Sequence, residues 1–424
     1  MQRQRRLLII SQVFVPDPAS VGQHLADVAA EMVRRGQDVT VITSARGYED
    51  PSVRYPRRET WQGVEIIRLP FSSFGKRSLP IRLLGALSFL MQATVRGLLQ
   101  RDVSHLLVST SPPMATIVAI VLSALRRVPF TFWVMDVNPD QAIALGAVSK
   151  RSWPARLLEG LNRKALRRAE NVVVLDRFMA ERVRQKCDVP EMFVSPPWPH
   201  VDPGVAGERE GARRLREAWG LGDKTIFMHS GNHSPAHPLD RLLAAARSLE
   251  HRNDLVFLFV GGGLGKRDVE AAIEAGAHNV VSLPYQPLER LADSLAVADV
   301  HIVPFGDAMV GIVHPCKVYG AMAAARPILL IGPSACHVGE LIEDHGIGWQ
   351  VSHDAEALAT RITEIADSVQ TRPEELRRLG QRASEVIRHE LTRERLCSHF
   401  CDILEGVAEE SETEEAYEPT PELV

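Results

Sequence analysis

The sequence predicts an α/β protein built from two tandem, doubly wound halves, and three observations predict it. Short β-rich runs alternate with helical runs over the first half of the 424 residues, and the same alternation starts again in the second. Between the halves the run PPWPHVDPG, beginning at Pro196, feeds the charged stretch Glu208 to Glu217, and proline followed by polar sequence reads as a linker. In the second half VHIVPFGDAMVGIVHPCKVYGAMAAARP, Val300 to Pro327, reads as strand, open loop, one lysine and an alanine-rich helix.

Taken in order, Leu7 to Gln12 is apolar and β-rich and is expected to be the first buried strand. His24 to Arg35 has the spacing of an amphipathic helix, which Gly36 closes before a second strand over Asp38 to Thr43. Further strands are expected over Glu65 to Leu69, His105 to Ser109, Phe130 to Val134 and Asn171 to Leu175. After the linker the strands are Thr225 to His229, Leu255 to Val260, Val280 to Leu283, Val300 to Val303, Ile328 to Ile331 and Gly348 to Val351. Helices starting at Leu239, Arg267, Glu289, Lys317, Val338 and Glu356 separate them.

The two domains are therefore expected at 1–200 and 205–384. The helical stretch Pro373 to Glu405 has no strand to cover at its own end, so its 385–405 part is expected to cross back onto the first domain. Residues 409–424 contain seven glutamates and no basic residue, which predicts a solvated, disordered tail.

Composition removes several function classes. A net charge of -4 gives no basic field for nucleic acid. Five scattered cysteines form neither a disulfide framework nor a metal spacing, which fits a reducing, cytoplasmic setting. No run reaches the roughly 18 to 20 apolar residues that span a bilayer. A peripheral contact with the inner face of the membrane is one reading of the apolar, basic-edged run 75–101 and of the basic cluster at 163–168. The other reading is a core helix with a solvated basic rim.

Lys317 opens a helix after a buried strand, where open α/β sheets hold ligands, and an ammonium beside free backbone N–H groups suits a phosphate. That points to a nucleotide site without a P-loop, with Pro315 and Cys316 at its edge. A solvated first-turn lysine is the alternative.

The ordered set PDPASVGQHLADVAAEMVRRGQDVTVIT, WVMDVNPD, FMHSGNHSPAHPLDRLL, FVGGG, SLPYQP, and ADVHIVP followed by HPCKVYGAMAAARPIL resembles the family 4 glycosyltransferases of the GT-B fold. The likeness is to their bacterial surface-polysaccharide branch and runs from about Leu7 to Glu405. It implies two Rossmann-like domains with an interdomain cleft, an acceptor-side domain first and a nucleotide-sugar domain second. It also implies a transferase of the hexosyltransferase type that moves a sugar from a nucleotide diphosphate, UDP-linked in the first instance, with retention and with no metal or other cofactor. The acceptor is expected to be a saccharide or lipid-linked.

The resemblance assigns Lys317 to the diphosphate, whose charge grows as the glycosidic bond breaks. Ser230, Gly231 and Asn232 match the family's donor loop, although a turn and N-cap is the local alternative. Gly261 and Gly262 resemble a loop near the nucleotide, or simply a strand end. Tyr285 and Gln286 fall where backbone meets the base edge. Asp136 matches a polar position near the transferred sugar and acceptor, against a structural aspartate, and Asp140 four residues on gives no hydrolase pair. Ser20, Gly22 and Gln23 lie in the stretch that resembles the family's first glycine-rich loop, or else cap the helix at His24. The histidines His24, His229, His233 and His237 lack zinc-enzyme spacing.

The chain departs from the family at Ile312 and Gly320, where two glutamates are common, at Val310, at Cys316, at Pro197–Trp198 and at Pro235, where a basic residue often holds the diphosphate. Arg241 and His237 are candidate replacements for that charge. Otherwise Lys317 is expected to carry the diphosphate with little help. Two rivals follow: a degenerate GT-B scaffold, and a UDP-sugar epimerase, whose carboxylate and histidine motifs do not occur in the required order.

Overall fold

The computed structural model describes residues 6–47, 50, 52–72, 79–203 and 210–408. They fall into two units. Unit 1 is Met1–Pro197 with Gly311–Val313 and the chain from Glu394 onward, and unit 2 is Trp198–Val310 with His314–Arg393.

In unit 1 the chain runs β1 (Arg6–Ile10), α1 (Ser20–Arg34), β2 (Asp38–Ser44), β3 (Arg58–Trp61), β4 (Val64–Leu69), α2 (Leu79–Leu99) and β5 (Val103–Ser109). It continues through α3 (Thr116–Arg126), β6 (Phe130–Trp133), α4 (Asp140–Ala144), α5 (Trp153–Arg168), β7 (Asn171–Val174), α6 (Arg177–Arg184) and β8 (Met192–Val194). The sheet order is β3-β4-β2-β1-β5-β6-β7-β8, parallel except for β3, which pairs antiparallel with β4. The six expected strands are all present because each is an apolar run buried on both faces, as parallel sheets require. The edge strands β3 and β8 were not expected: Arg58–Trp61 alternates exposed and half-buried residues, and β8 is only three residues long.

Unit 2 begins with α7 (Glu210–Ala218), then β9 (Thr225–Asn232), α8 (Asp240–Ser248), β10 (Leu255–Gly262), α9 (Lys266–Glu274), β11 (Val280–Leu283) and α10 (Leu291–Ala296). It goes on with β12 (Val300–Pro304), α11 (Lys317–Ala323), β13 (Ile328–Ile331), α12 (His337–His345), β14 (Gly348–Val351), α13 (Ala355–Thr371) and α14 (Pro373–His389). All neighbours in its sheet, β11-β10-β9-β12-β13-β14, are parallel. The strand period of two sorts its side chains: Phe227, Phe257 and Phe259 pack under α8 and α13, while Ile226, Met228, Val256 and Leu258 face the opposite way and pack with Ala212 and Ala296–Ala298.

Two expectations change here. The charged stretch read as linker is in its described part the helix α7, where Arg213 bridges Glu210 and Glu217 and Arg214 also reaches Glu210, the i,i+3 and i,i+4 pairs that support an exposed helix. The terminal helical stretch is two helices, α14 in unit 2 and α15 (Arg393–Glu405), which from Glu394 belongs to unit 1. Phe400 lies 4.1 Å from Trp133, ring to ring, and Arg35 grips Asp402 at 2.6 Å and Glu405 at 2.7 Å, so α15 is fixed to unit 1 by packing and charge together. The acidic tail at 409–424 lies outside the described residues. Among the described residues no helix is long and apolar enough to cross a membrane.

Candidate active site

In unit 2 the strand order reverses between β9 and β12, and the C-terminal ends of strands at such a switch point are where open α/β sheets hold ligands. The candidate donor residues gather there. Pairing runs further than the sequence suggests: Ser230, Gly231 and Asn232 are the last residues of β9 and sit in register with Val260, Gly261 and Gly262 of β10. SGN and the first two glycines of GGG are thus one paired strand end, and the third glycine, Gly263, leads into the turn before α9.

Close approach explains the glycines. Gly261 has φ +139°, and a Cβ there would lie 2.0 Å from the Gly231 carbonyl oxygen; one on Gly263 would lie 2.2 Å from Asn232 Oδ1. Tyr285 stands against Gly262, where a Cβ would come within 3.0 Å of its ring, and the residue is 43% exposed. Gln286 is turned back on the Pro284 carbonyl at 3.0 Å.

Lys317 is the first residue of α11, after the buried Pro315 and after Cys316, whose side chain does not cap the helix and instead donates to the His314 carbonyl at 3.5 Å. Its stem passes Gly231, and its Nζ lies 3.4 Å from His229 Nε2 and 3.5 Å from the Asn232 carbonyl. A residue that follows β12 thus places its ammonium at the end of β9, across the switch point. Desolvation lowers the Lys317 pKa to about 7, so an arriving anion would restore a charge that burial disfavours.

Three histidines surround this ammonium, and their tautomers follow from their partners. His229 Nδ1 is 3.3 Å from the Ile302 carbonyl, His233 Nδ1 3.0 Å from that of Gly262, and His237 Nδ1 2.9 Å from that of Pro304. A carbonyl only accepts, so each Nδ1 carries the proton and each neutral ring leaves Nε2 bare. Desolvation, with the Lys317 charge as a further cause, holds all three well below the usual histidine range, His233 at about 4. His229 Nε2 is the acceptor that faces Lys317 Nζ, and all three rings, being neutral, add no positive charge. Among the described residues no group of histidine, cysteine and carboxylate side chains could hold a metal.

A second cation was not expected. Lys266 opens α9 directly after the glycine-rich turn, donates to the Gly261 carbonyl at 3.2 Å, and with Lys317 opposes protonation of His233. The run GGGLGK held this signal: a lysine opening the helix that follows a paired glycine strand end. The expected substitutes for charge at Pro235 do not supply it. His237 is neutral, and Arg241 pairs with Asp240 at 3.3 Å. Ile312 is fully buried and Gly320 packs near Leu295, so neither position holds a carboxylate.

In unit 1 Asp136 follows β6. Its carboxyl group has no hydrogen-bond or ion-pair partner among the described residues, and desolvation pushes it up to about 6. Backbone pairing with Val313, and Val137 N–H donating to the Ile312 carbonyl at 2.8 Å, fix its position. Asp140 is different in kind: it pairs with Lys186 and with Arg182 at 3.1 Å, and Lys186 also holds Glu159 at 2.6 Å, a structural network.

The first-loop residues are corrected. The helix begins at Ser20 rather than His24, so Ser20, Gly22 and Gln23 lie in its first turn. Ser20 Oγ meets His24 Nδ1 at 3.3 Å, Gln23 donates to the Pro18 carbonyl at 3.0 Å, and a Cβ on Gly22 would lie 3.1 Å from the Phe14 backbone. Gly22 is thereby explained by close packing on the loop after β1.

Comparison with known proteins matches this architecture. Residues 20–198 match the family described as Glycosyl transferase 4-like domain, and 212–386 match Glycosyl transferases group 1. A probable glycosyltransferase of Pseudomonas aeruginosa, WbjE, is 26% identical over 369 residues, 85% of this chain and 90% of that protein. Among solved structures, sucrose-phosphate synthase from Thermosynechococcus elongatus superposes with a TM-score of 0.73 at 16% identity, covering 95% of this chain and 99% of that one. Anabaena HepE, solved with UDP and glucose, gives 0.69 at 15% identity, covering 95% and 99%. The chain belongs to the glycosyltransferases of the GT-B fold, with a 4-like domain followed by a group 1 domain.

Proposed function

We propose that this enzyme transfers a sugar, of the hexosyl type, from a nucleoside diphosphate to a saccharide or lipid-linked acceptor in cell-surface polysaccharide synthesis. The observation that carries the donor half is the placing of Lys317 at the end of β9, across the switch point, and of Lys266 at the end of the neighbouring β10, where Gly231, Gly261 and Gly262 let the two strand ends pair closely. Lys317 neutralises the charge that builds on the leaving diphosphate, Ser230 and Asn232 bond phosphate or sugar hydroxyls, and exposed Tyr285 offers a face to the base. Asp136 accepts a hydroxyl proton or fixes a sugar hydroxyl. A UDP donor is favoured by the likeness to HepE, retention by the family resemblance, and the polysaccharide role by the likeness to WbjE.

Membrane contact rests on unit 1. Leu84, Leu87, Met91, Val95 and Leu98, spaced three and four apart on one side of α2, are all 40% or more exposed. Met91 and Val95 also line a groove of about 500 Å³ with Arg57, Arg58 and Arg96, none of which has an ion-pair partner among the described residues. α3 packs against both α2 and α5, and α5 carries exposed Trp153, Lys164, Arg167 and Arg168. Apolar side chains rimmed by unpaired cations suit an anionic lipid surface. Residues 75–78 of the expected contact lie outside the described residues.

The scaffold reading keeps Pro235, Val310 and Pro197–Trp198 as its motives, and Lys266 weakens it by supplying charge that Pro235 lacks. A panel of nucleotide sugars, scored by thermal shift and by donor hydrolysis without acceptor, decides. Stabilisation and hydrolysis with UDP-sugars support the transferase as described; no shift and no release with any donor favour the scaffold. Sedimentation with anionic and with zwitterionic vesicles tests the membrane contact, which is expected only with the former and is expected to be lost on reversing Arg57, Arg58 and Arg96.

A further inference from the structure

We propose that His314, Tyr319 and His337 form a positioning relay that holds the backbone of Lys317 from the β13 side while its ammonium reaches to β9. The inference rests on the donor role given above to Lys317.

The three side chains are buried, at 7%, 1% and 3% exposure. The Tyr319 hydroxyl lies 2.8 Å from His314 Nε2 and 2.8 Å from His337 Nε2, and the two imidazole centroids are 4.6 Å apart. A phenol has one proton, so it donates to one ring nitrogen and accepts from the other. The relay is therefore directional, and deleting the hydroxyl leaves a buried imidazole nitrogen on each side without its partner.

Its ends are placed to matter. His314 is three residues before Lys317, and its carbonyl accepts from the Cys316 backbone N–H at 2.9 Å; Tyr319 is two residues after Lys317. His337 opens α12, which follows β13, the neighbour of β12 on the side away from β9. The base of Lys317 is thus bracketed by two relay members and tied to a third element, while its tip meets His229 and Asn232 on the other side of β12. Preorganised electrostatic groups lose much of their effect when displaced by even 1 Å. The three act through Lys317 and are positioning residues.

The test reads Lys317 directly and needs no donor. Acylation of Lys317 with an amine-reactive reagent, followed by mass spectrometry across pH, gives its titration in the intact protein. Wild type is expected to reach half-reactivity near pH 7. Tyr319→Phe is expected to move this at least about one pH unit towards the ordinary lysine value, as is His337→Leu, while His337→Gln, which keeps a polar group near the Nε2 position, stays close to wild type. Turnover on UDP-sugars is expected to fall about tenfold in Tyr319→Phe with a smaller change in KM. An unshifted Lys317 profile in folded Tyr319→Phe overturns the relay, as does equal behaviour of His337→Gln and His337→Leu. Should Tyr319→Phe not fold, the His337 pair reads the same point. Failure of the donor reading appears separately, as wild type that binds no nucleoside diphosphate.

Discussion

Where β9 and β12 part in unit 2, two ammonium groups, three neutral imidazoles and a paired glycine strand end converge, whereas unit 1 presents Asp136, a carboxyl one strand beyond its own switch point between β1 and β5. Both sheets are doubly wound and parallel in their interiors, so the fold alone does not account for the difference. Charge does. Unit 2 has the chemistry to hold an anion, and unit 1 has a desolvated group that gains by giving or taking a proton. The comparison predicts that binding is lost by changes in unit 2 and that proton-dependent rate is lost by changes in unit 1.

The largest expected effect is on turnover. Lys317→Ala should lower donor cleavage by roughly two orders of magnitude or more, as removal of one preorganised electrostatic partner does, and steady-state rates on a UDP-sugar measure it. A wild-type rate would remove the asymmetry between the units. Lys266→Ala is expected to weaken nucleotide affinity by a smaller factor, of about tenfold, read by calorimetry.

Next in size is the strand pairing that positions the site. Gly261→Ala forces a Cβ against the Gly231 carbonyl at a left-handed φ and is expected to destabilise unit 2 by about 2 kcal/mol or more. Denaturant unfolding checks it, and an unchanged midpoint would mean that the β9 and β10 ends are not closely paired.

Asp136 sharpens the other side. If its carboxylate acts as base, the rate should rise with pH through about 6, and Asp136→Asn should lose that limb while nucleotide affinity stays the same. Linkage fixes the sign for stability. The folded pKa lies above the unfolded value near 3.9, so the folded state binds more protons between about pH 4 and 6, and stability falls as pH rises through that window. Asp136→Asn is therefore expected to raise the unfolding free energy at pH 8 by an amount on the order of 1 kcal/mol, screened by partial exposure, and to leave it unchanged at pH 4.

The order of strands was legible because buried parallel strands are continuous apolar runs; Val280–Leu283, Ile328–Ile331 and Gly348–Val351 have the bounds expected of them. Polar composition misled elsewhere. The Arg58–Trp61 edge strand reads as surface, and α7 reads as linker until its ion pairs are seen. At the site the strand-end alternative held for Gly261–Gly262, whereas Ser230–Asn232, read as donor loop or turn and N-cap, continue the ladder. Lys317 was visible as a lysine after a buried strand, but Lys266 was hidden in a glycine-rich run, and the shared tautomer of His229, His233 and His237 depends on carbonyls far away in sequence. Asp136 and Asp140 look alike on paper. Only the Lys186 and Arg182 partners separate the structural one from the candidate.

The most direct test of the account is calorimetric titration of UDP into wild type and Lys317→Met from pH 6 to 9, in buffers of different ionisation enthalpy. A bound diphosphate raises the Lys317 pKa above about 7, so wild type should take up close to one proton per UDP above that pH and lose affinity as pH rises. Lys317→Met should bind weakly and show neither effect. Equal UDP affinity in the two proteins, with no difference in proton uptake, would contradict the placing of the diphosphate at Lys317.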